Sequence, residues 1–200
     1  MARSNNRDKW VFRLVLTAIL SALIVAMTVV PYTGYISYGG ILEITTLHIV
    51  VIIGAVFLGW DYGALLGAVW GITCIVRAAV LGAGNPAYEA FLNPLVSLLP
   101  RMAVGAVAGL VTAALLKTRL KPILAVALAA AAGTLTNTVL VLSMYYLYTS
   151  LMTGMSSVFE AFKAIVMTIA SLNGGIEIAA AVVIAPAVYA ALVRAFGKKI

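Results

Sequence analysis

The sequence predicts an all-α integral membrane protein with six transmembrane helices and both termini on the cytoplasmic side. Three observations carry this. Hydrophobic residues make up 64% of the chain and charged residues only 10%, with a mean hydropathy of +1.13; a soluble domain would be about a quarter charged. The apolar residues form six continuous runs, whereas barrel strands would alternate over about ten residues. The cations are lopsided. Arg3, Arg7, Lys9, Arg13, Lys117, Arg119, Lys121, Arg194, Lys198 and Lys199 fall on one side of an even count of six spans, and Glu43, Glu89, Glu160 and Lys163 on the other. An excess of Lys and Arg marks the cytoplasmic side. The same bias accounts for the formal charge of +7 without nucleic acid. Six spans leave no room for a soluble domain, so residues 1–200 read as a single membrane domain.

The elements follow in order. Span one covers 10–30 and is closed by Pro31. It is long and lacks a small-residue cleavage pattern, so it reads as a retained helix and not a signal peptide. Span two, 44–58, is short for a bilayer that takes about 20 residues. The Trp60-Asp61-Tyr62 turn places aromatics at the interface and leads into span three, 63–81. A Gly82-Ala-Gly-Asn-Pro86 stretch opens the second outer loop. Span four is 94–116, the basic turn Lys117–Lys121 returns the chain, and span five is 122–148, with Tyr145, Tyr146 and Tyr148 at its outer end. Span six is 164–196. The outer loops (32–40, 82–93, 149–157) are longer than the inner turns and rich in Tyr and Gly. Tyr35, Tyr38, Gly39 and Gly40 in the first are candidates for a lid; connectors with interfacial tyrosines are the alternative.

Polar residues inside the spans are where function is expected, because an ionised group there costs roughly 2.5–3.5 kcal/mol on insertion scales unless paired or hydrated. At about 1.5 Å per residue, Arg101 lies about 12 Å below the outer end of its span, Asn173 about 13 Å, Asn137 about 16 Å and Glu177 about 20 Å. Arg77 and His48 lie about one turn in. Asn93, Ser97 and Arg101 recur every four residues and form one face of span four, with Pro94 and Pro100 just inside its two ends as prolines that can free backbone carbonyls. Asn173 and Glu177 share a face of span six, beside Gly174 and Gly175. These residues, with Tyr145, are the candidate lining of an outward-facing cavity. Two readings stay open for each charge: Arg101 and Glu177 pair with each other or serve a ligand, and Arg77 snorkels outward or does the same. Two arginines against one glutamate within the spans leave a spare cation suited to a carboxylate. His48 is either a hydrogen-bonded helix residue or a ligand contact.

Small residues form stripes at four-residue spacing: Ala18, Ala22 and Ala26 in span one, Gly63, Gly67 and Gly71 in span three, Gly105 and Gly109 in span four. Such stripes let membrane helices approach closely. The glycines read as internal packing, and the alanines as a surface for a separate membrane subunit. Several chemistries are disfavoured. A single cysteine, Cys74, excludes an intrachain disulfide, and a single histidine argues against a His-based metal site. There is no phosphate loop for ATP and no nucleophile–base set.

The segments Leu47–Gly71, Phe91-Leu-Asn-Pro-Leu-Val-Ser-Leu-Leu-Pro-Arg101 and Asn173-Gly-Gly-Ile-Glu177, together with the alanine stripe, resemble the substrate-binding S components of energy-coupling factor (ECF) vitamin transporters. The resemblance covers roughly 14–195 and is similar above all to the pantothenate-type subgroup. It implies a bacterial cytoplasmic-membrane protein, not an enzyme. It further implies capture of a vitamin from outside beneath the first loop, with helices four to six forming the pocket. Ala18, Ala22 and Ala26 would dock a transmembrane coupling subunit. Two separate ATPase subunits would hydrolyse ATP, so this chain would carry no cofactor and no metal. Toppling of the subunit in the bilayer would release the cargo. Niacin, biotin and folate also carry carboxylates, so charge does not choose among vitamins. A membrane enzyme and a ligand-free assembly subunit are the alternatives outside transport.

Overall fold

The computed structural model describes residues 2–38, 42–81, 86–153 and 157–196. Their order is α1 (Ala2–Val29), β1 (Tyr35–Tyr38), β2 (Leu42–Thr45), α2 (Leu47–Leu58), α3 (Trp60–Leu81), α4 (Pro86–Leu92), α5 (Pro94–Leu115), α6 (Pro122–Thr153) and α7 (Ser157–Phe196). Five helices are long and apolar enough to cross a membrane, within α1, α3, α5, α6 and α7; α2 is apolar but shorter. Their outward faces carry Leu65, Ile72, Val76, Leu99, Leu110, Leu135 and Val183 exposed, as a lipid-facing surface requires.

The helix α2 occupies the centre. Leu47, His48, Val51 and Ile52 are wholly buried, and the helix touches α1, α3, α5, α6 and α7. A helix that is apolar all round suits a protein core or lipid, and here protein surrounds it. Its 12 residues span about 18 Å, because the chain approaches it as a strand instead of as further helix. This corrects the expected second span at one end: residues 44–46 are not helical. Ile44 and Thr45 end β2, and Thr46 precedes α2. At the other end Gly59, at φ +106°, makes the sharp turn into α3 in a conformation that only glycine adopts freely.

The glycine stripes are consumed inside the bundle. A Cβ on Gly67 would overlap the Arg101 carbonyl oxygen, and one on Gly71 would lie 2.7 Å from Leu98 Cα. Gly63 and Gly105 face each other's backbones, and Gly109 faces Trp60. Helices α3 and α5 therefore meet backbone to backbone along the segment that bears Arg101. The alanine stripe is not consumed: Ala18, Ala22 and Ala26 are exposed, while Thr17 and Ile24 on the other face of α1 are buried.

The connections expected to be outer loops contain more structure than loops. The first is an antiparallel hairpin, Tyr35↔Thr45 through Tyr38↔Leu42, extended by the Thr46 N–H donating to the Gly34 carbonyl at 3.0 Å. The second holds α4, and most of the expected third loop continues α6, which runs to Thr153. The sixth helix likewise begins at Ser157, ahead of the expected 164.

Candidate functional site

Arg101 is the centre of the site, and its own helix explains how it is held. Pro100 has no N–H, so the carbonyl four residues back, that of Val96, loses its helical partner. The Arg101 guanidinium donates to that carbonyl, Nη1 to O at 2.9 Å. The proline and the arginine thus form one local device: one frees an acceptor and the other occupies it. Upstream, Asn93 caps α5 by accepting the Leu95 N–H at 2.9 Å, and Ser97 donates to the Phe91 carbonyl, tying α4 to α5. The guanidinium carbon lies 5.2 Å from the Trp70 ring centre and 5.7 Å from that of Phe91, within the range of cation–π attraction. Arg101 is 7% exposed, and its Nε is buried without a hydrogen-bond partner.

A second group sits where the hairpin meets α3. The Trp70 indole N–H donates to the Tyr35 hydroxyl at 3.3 Å, and that hydroxyl lies 3.2 Å from Cys74 Sγ. The Arg77 guanidinium covers the same tyrosine ring at 4.1 Å, with Tyr88 at 5.8 Å on α4. Trp70, Cys74 and Arg77 are spaced four and three apart, so one face of α3 presents all of them. Burial, and then the adjacent Cys74, push the Tyr35 phenol far above its ordinary range, so it stays neutral. Phe91 also meets Tyr145 of α6, ring centres 5.9 Å apart, which joins α6 to the Arg101 surroundings.

The third group lies at the mouth of α2. The Glu177 carboxylate accepts the backbone N–H of Thr45 at 2.7 Å. His48 is completely buried beside the backbones of Thr45 and Glu177, yet neither ring nitrogen makes a hydrogen bond of good geometry. Thr45 Oγ1 and Asn137 Oδ1 are likewise buried and unpartnered. Buried polar groups are ordinarily satisfied. Here the unsatisfied side-chain atoms among the described residues belong to Thr45, His48, Arg101 and Asn137, three of which are among the residues expected to line a cavity.

The structure therefore joins Arg77 and Arg101 through Tyr35 and Trp70. It sets His48 beside Glu177 through Thr45, and Tyr145 beside Phe91. Arg101 and Glu177 do not form an ion pair: Glu177 takes the Thr45 N–H and Arg101 the Val96 carbonyl. Arg77 does not simply extend outward; its guanidinium is held over Tyr35. Gly39 and Gly40, and the side chains of Tyr38 and Asn173, lie outside the described residues. Trp70, Cys74, Phe91 and Thr45 join the site without being among the residues expected there. The Trp70/Cys74/Arg77 spacing was a signal for two of them; Thr45 contributes a backbone N–H, which no residue type announces.

Comparison with known proteins adds the family. The model of a family described as "ECF transporter, substrate-specific component" matches residues 12–189. The pantothenate transporter PanT of Leuconostoc mesenteroides is 32% identical over 110 residues, 54% of this chain and 52% of that protein. The chain thus aligns with about half the length of that relative. The pantothenic acid transporter PanT of Lactococcus lactis subsp. cremoris is 31% identical over 163 residues, 76% of this chain and 78% of that protein. The chain belongs to the substrate-specific component family of ECF transporters, multi-pass proteins of the bacterial cytoplasmic membrane.

Proposed function

We propose that this chain captures pantothenate at the outer face of the membrane and delivers it inward together with a separate ATP-driven module. The observation that carries the reading is Arg101. It is a buried cation, bracketed by Trp70 and Phe91 and unpartnered at Nε, in a site with two arginines. A carboxylate ligand supplies the charge and the acceptors that such a guanidinium needs. Pantothenate also carries an amide and a pair of hydroxyls, and His48, Thr45 Oγ1 and Asn137 Oδ1 offer donors and acceptors for them. Both relatives described above are named for pantothenate. In this reading α2 completes a set of six spans, and both termini are cytoplasmic, as the cation distribution favours. The exposed alanines of α1 meet the coupling subunit, and two ATPases complete the importer.

Calorimetry of the purified protein against pantothenate, niacin, biotin, folate and riboflavin tests this. Submicromolar binding of pantothenate, in preference to the others, is expected. Tight binding of a different vitamin would reassign the substrate, and no binder in the panel would end the transport reading.

A further inference from the structure

Glu177 looks at first like a ligand group: it is an acidic residue, 5% exposed, one turn below Gly174 on an intramembrane helix. Its contact says otherwise. In an antiparallel pair, alternate N–H groups point to the partner strand and the others point away. The Thr46 N–H donates to Gly34 on the β1 side, so the Thr45 N–H points to the opposite edge of the two-stranded sheet. An edge N–H buried away from water needs an acceptor. Glu177 supplies one, with Oε1 at 2.7 Å from the Thr45 nitrogen. Across the hairpin, the residue paired with Thr45 is Tyr35. Tyr35 receives the Trp70 indole hydrogen bond, lies against Cys74 and sits under Arg77. A carboxylate on α7 is thereby linked through one strand pair to the aromatic–arginine cluster on α3.

We propose that Glu177 is a positioning residue that holds the outer edge of β2 on α7 and so sets Tyr35 among Trp70, Cys74 and Arg77, without itself touching the ligand. The proposal rests on the binding function above only for its consequence for affinity; the linkage itself exists in the unliganded protein. Loss of the Glu177 acceptor frees β2 from α7, Tyr35 shifts, and the site loses its aromatic wall on the α3 side. The Gln side chain keeps an acceptor oxygen without the charge, so Glu177→Gln retains part of the link and Glu177→Ala none. Thr45→Pro removes the donor from the other end, at an edge position whose N–H takes no part in the β1–β2 ladder.

The test uses full-length protein in lipid nanodiscs with Trp10 and Trp60 replaced by Phe, so that Trp70 alone fluoresces. Hydrogen exchange over residues 35–38 and 42–46 and Trp70 emission are recorded without ligand; pantothenate affinity is recorded separately. Exchange in the hairpin is expected to accelerate about tenfold or more in Glu177→Ala, as for loss of a charge-assisted hydrogen bond, and less in Glu177→Gln. Trp70 emission should shift in the same order. Thr45→Pro should reproduce the Glu177→Ala changes at neighbouring amides, and the double variant should add nothing. The proposal is overturned if Glu177→Ala abolishes pantothenate binding while hairpin exchange and Trp70 emission stay at wild-type values; Glu177 is then a ligand contact. It is equally overturned if the Glu177 and Thr45 effects add. Because exchange and emission are read without ligand, they stand whether or not pantothenate proves to be the substrate.

Discussion

Replacing Arg101 by Met keeps much of the side chain's length and removes its charge. Two consequences separate cleanly. The ligand carboxylate loses its buried partner, and truncating one member of a buried charge pair costs about 2–5 kcal/mol, or roughly 30- to 4,000-fold in Kd. The Val96 carbonyl loses the donor 2.9 Å away that Pro100 forced it to find, which costs stability by about 1–3 kcal/mol. A second substitution, Pro100→Ala, restores a backbone N–H four residues from Val96 and with it the helical hydrogen bond. The double variant Pro100→Ala/Arg101→Met should therefore recover most of the lost thermal stability and none of the lost affinity. Calorimetry should use pantothenate beside its alcohol analogue, in which CH2OH replaces the carboxylate. Wild-type protein should prefer the acid strongly, and the double variant should bind both alike. A double variant that still prefers the acid would refute Arg101 as the carboxylate partner. Recovery of affinity along with stability would refute it too, because the arginine's part would then be structural.

Further outcomes follow from other parts of the structure. His48→Phe removes a buried imidazole with no good hydrogen bond, so melting temperature should hold or rise while pantothenate affinity falls about tenfold; a drop in stability with unchanged affinity would make His48 a purely structural residue. Gly67→Ala pushes a methyl into the Arg101 carbonyl, and overpacking of this kind costs about 1–3 kcal/mol, so the thermal midpoint of the detergent-solubilised protein should fall and binding weaken with it; wild-type values would show that α3 and α5 can separate freely. Ala22→Trp sits on the exposed face of α1, so vitamin binding should be intact while co-purification with the coupling subunit fails. Retention of the partners would remove the alanine stripe from the docking surface.

Much of the bundle was legible because hydropathy and helix length are local quantities. The apolar runs at 63–81, 94–116 and 122–148 correspond to α3, α5 and α6, and the glycine stripe of span three packs as its spacing implied. The segment between α1 and α2 was not legible as a hairpin. Residues 35–38 and 42–45 are strands because they pair with each other and dock on α7, and neither interaction is visible in a short window of sequence. The short second span has the same cause. Its apolar pattern ran to Ile44, but Ile44 and Thr45 were taken into the sheet.

By itself the sequence determined that the chain enters a membrane, which of its ends are basic, and which few polar residues need an explanation at depth. Those depend on composition and on spacing along one helix. What each polar residue meets was decided only by the tertiary structure. Arg77 and Arg101 look equivalent in sequence, yet one lies over Tyr35 and the other is anchored to the carbonyl that Pro100 released. Glu177 and Arg101 have opposite charges and could have paired; the fold instead gives Glu177 a backbone N–H from a strand 132 residues away. A charge in a bundle is hydrogen-bonded by whatever donor or acceptor the packing brings within about 3 Å of it, and that distance is set by how helices and hairpin fit together, not by their order in the chain.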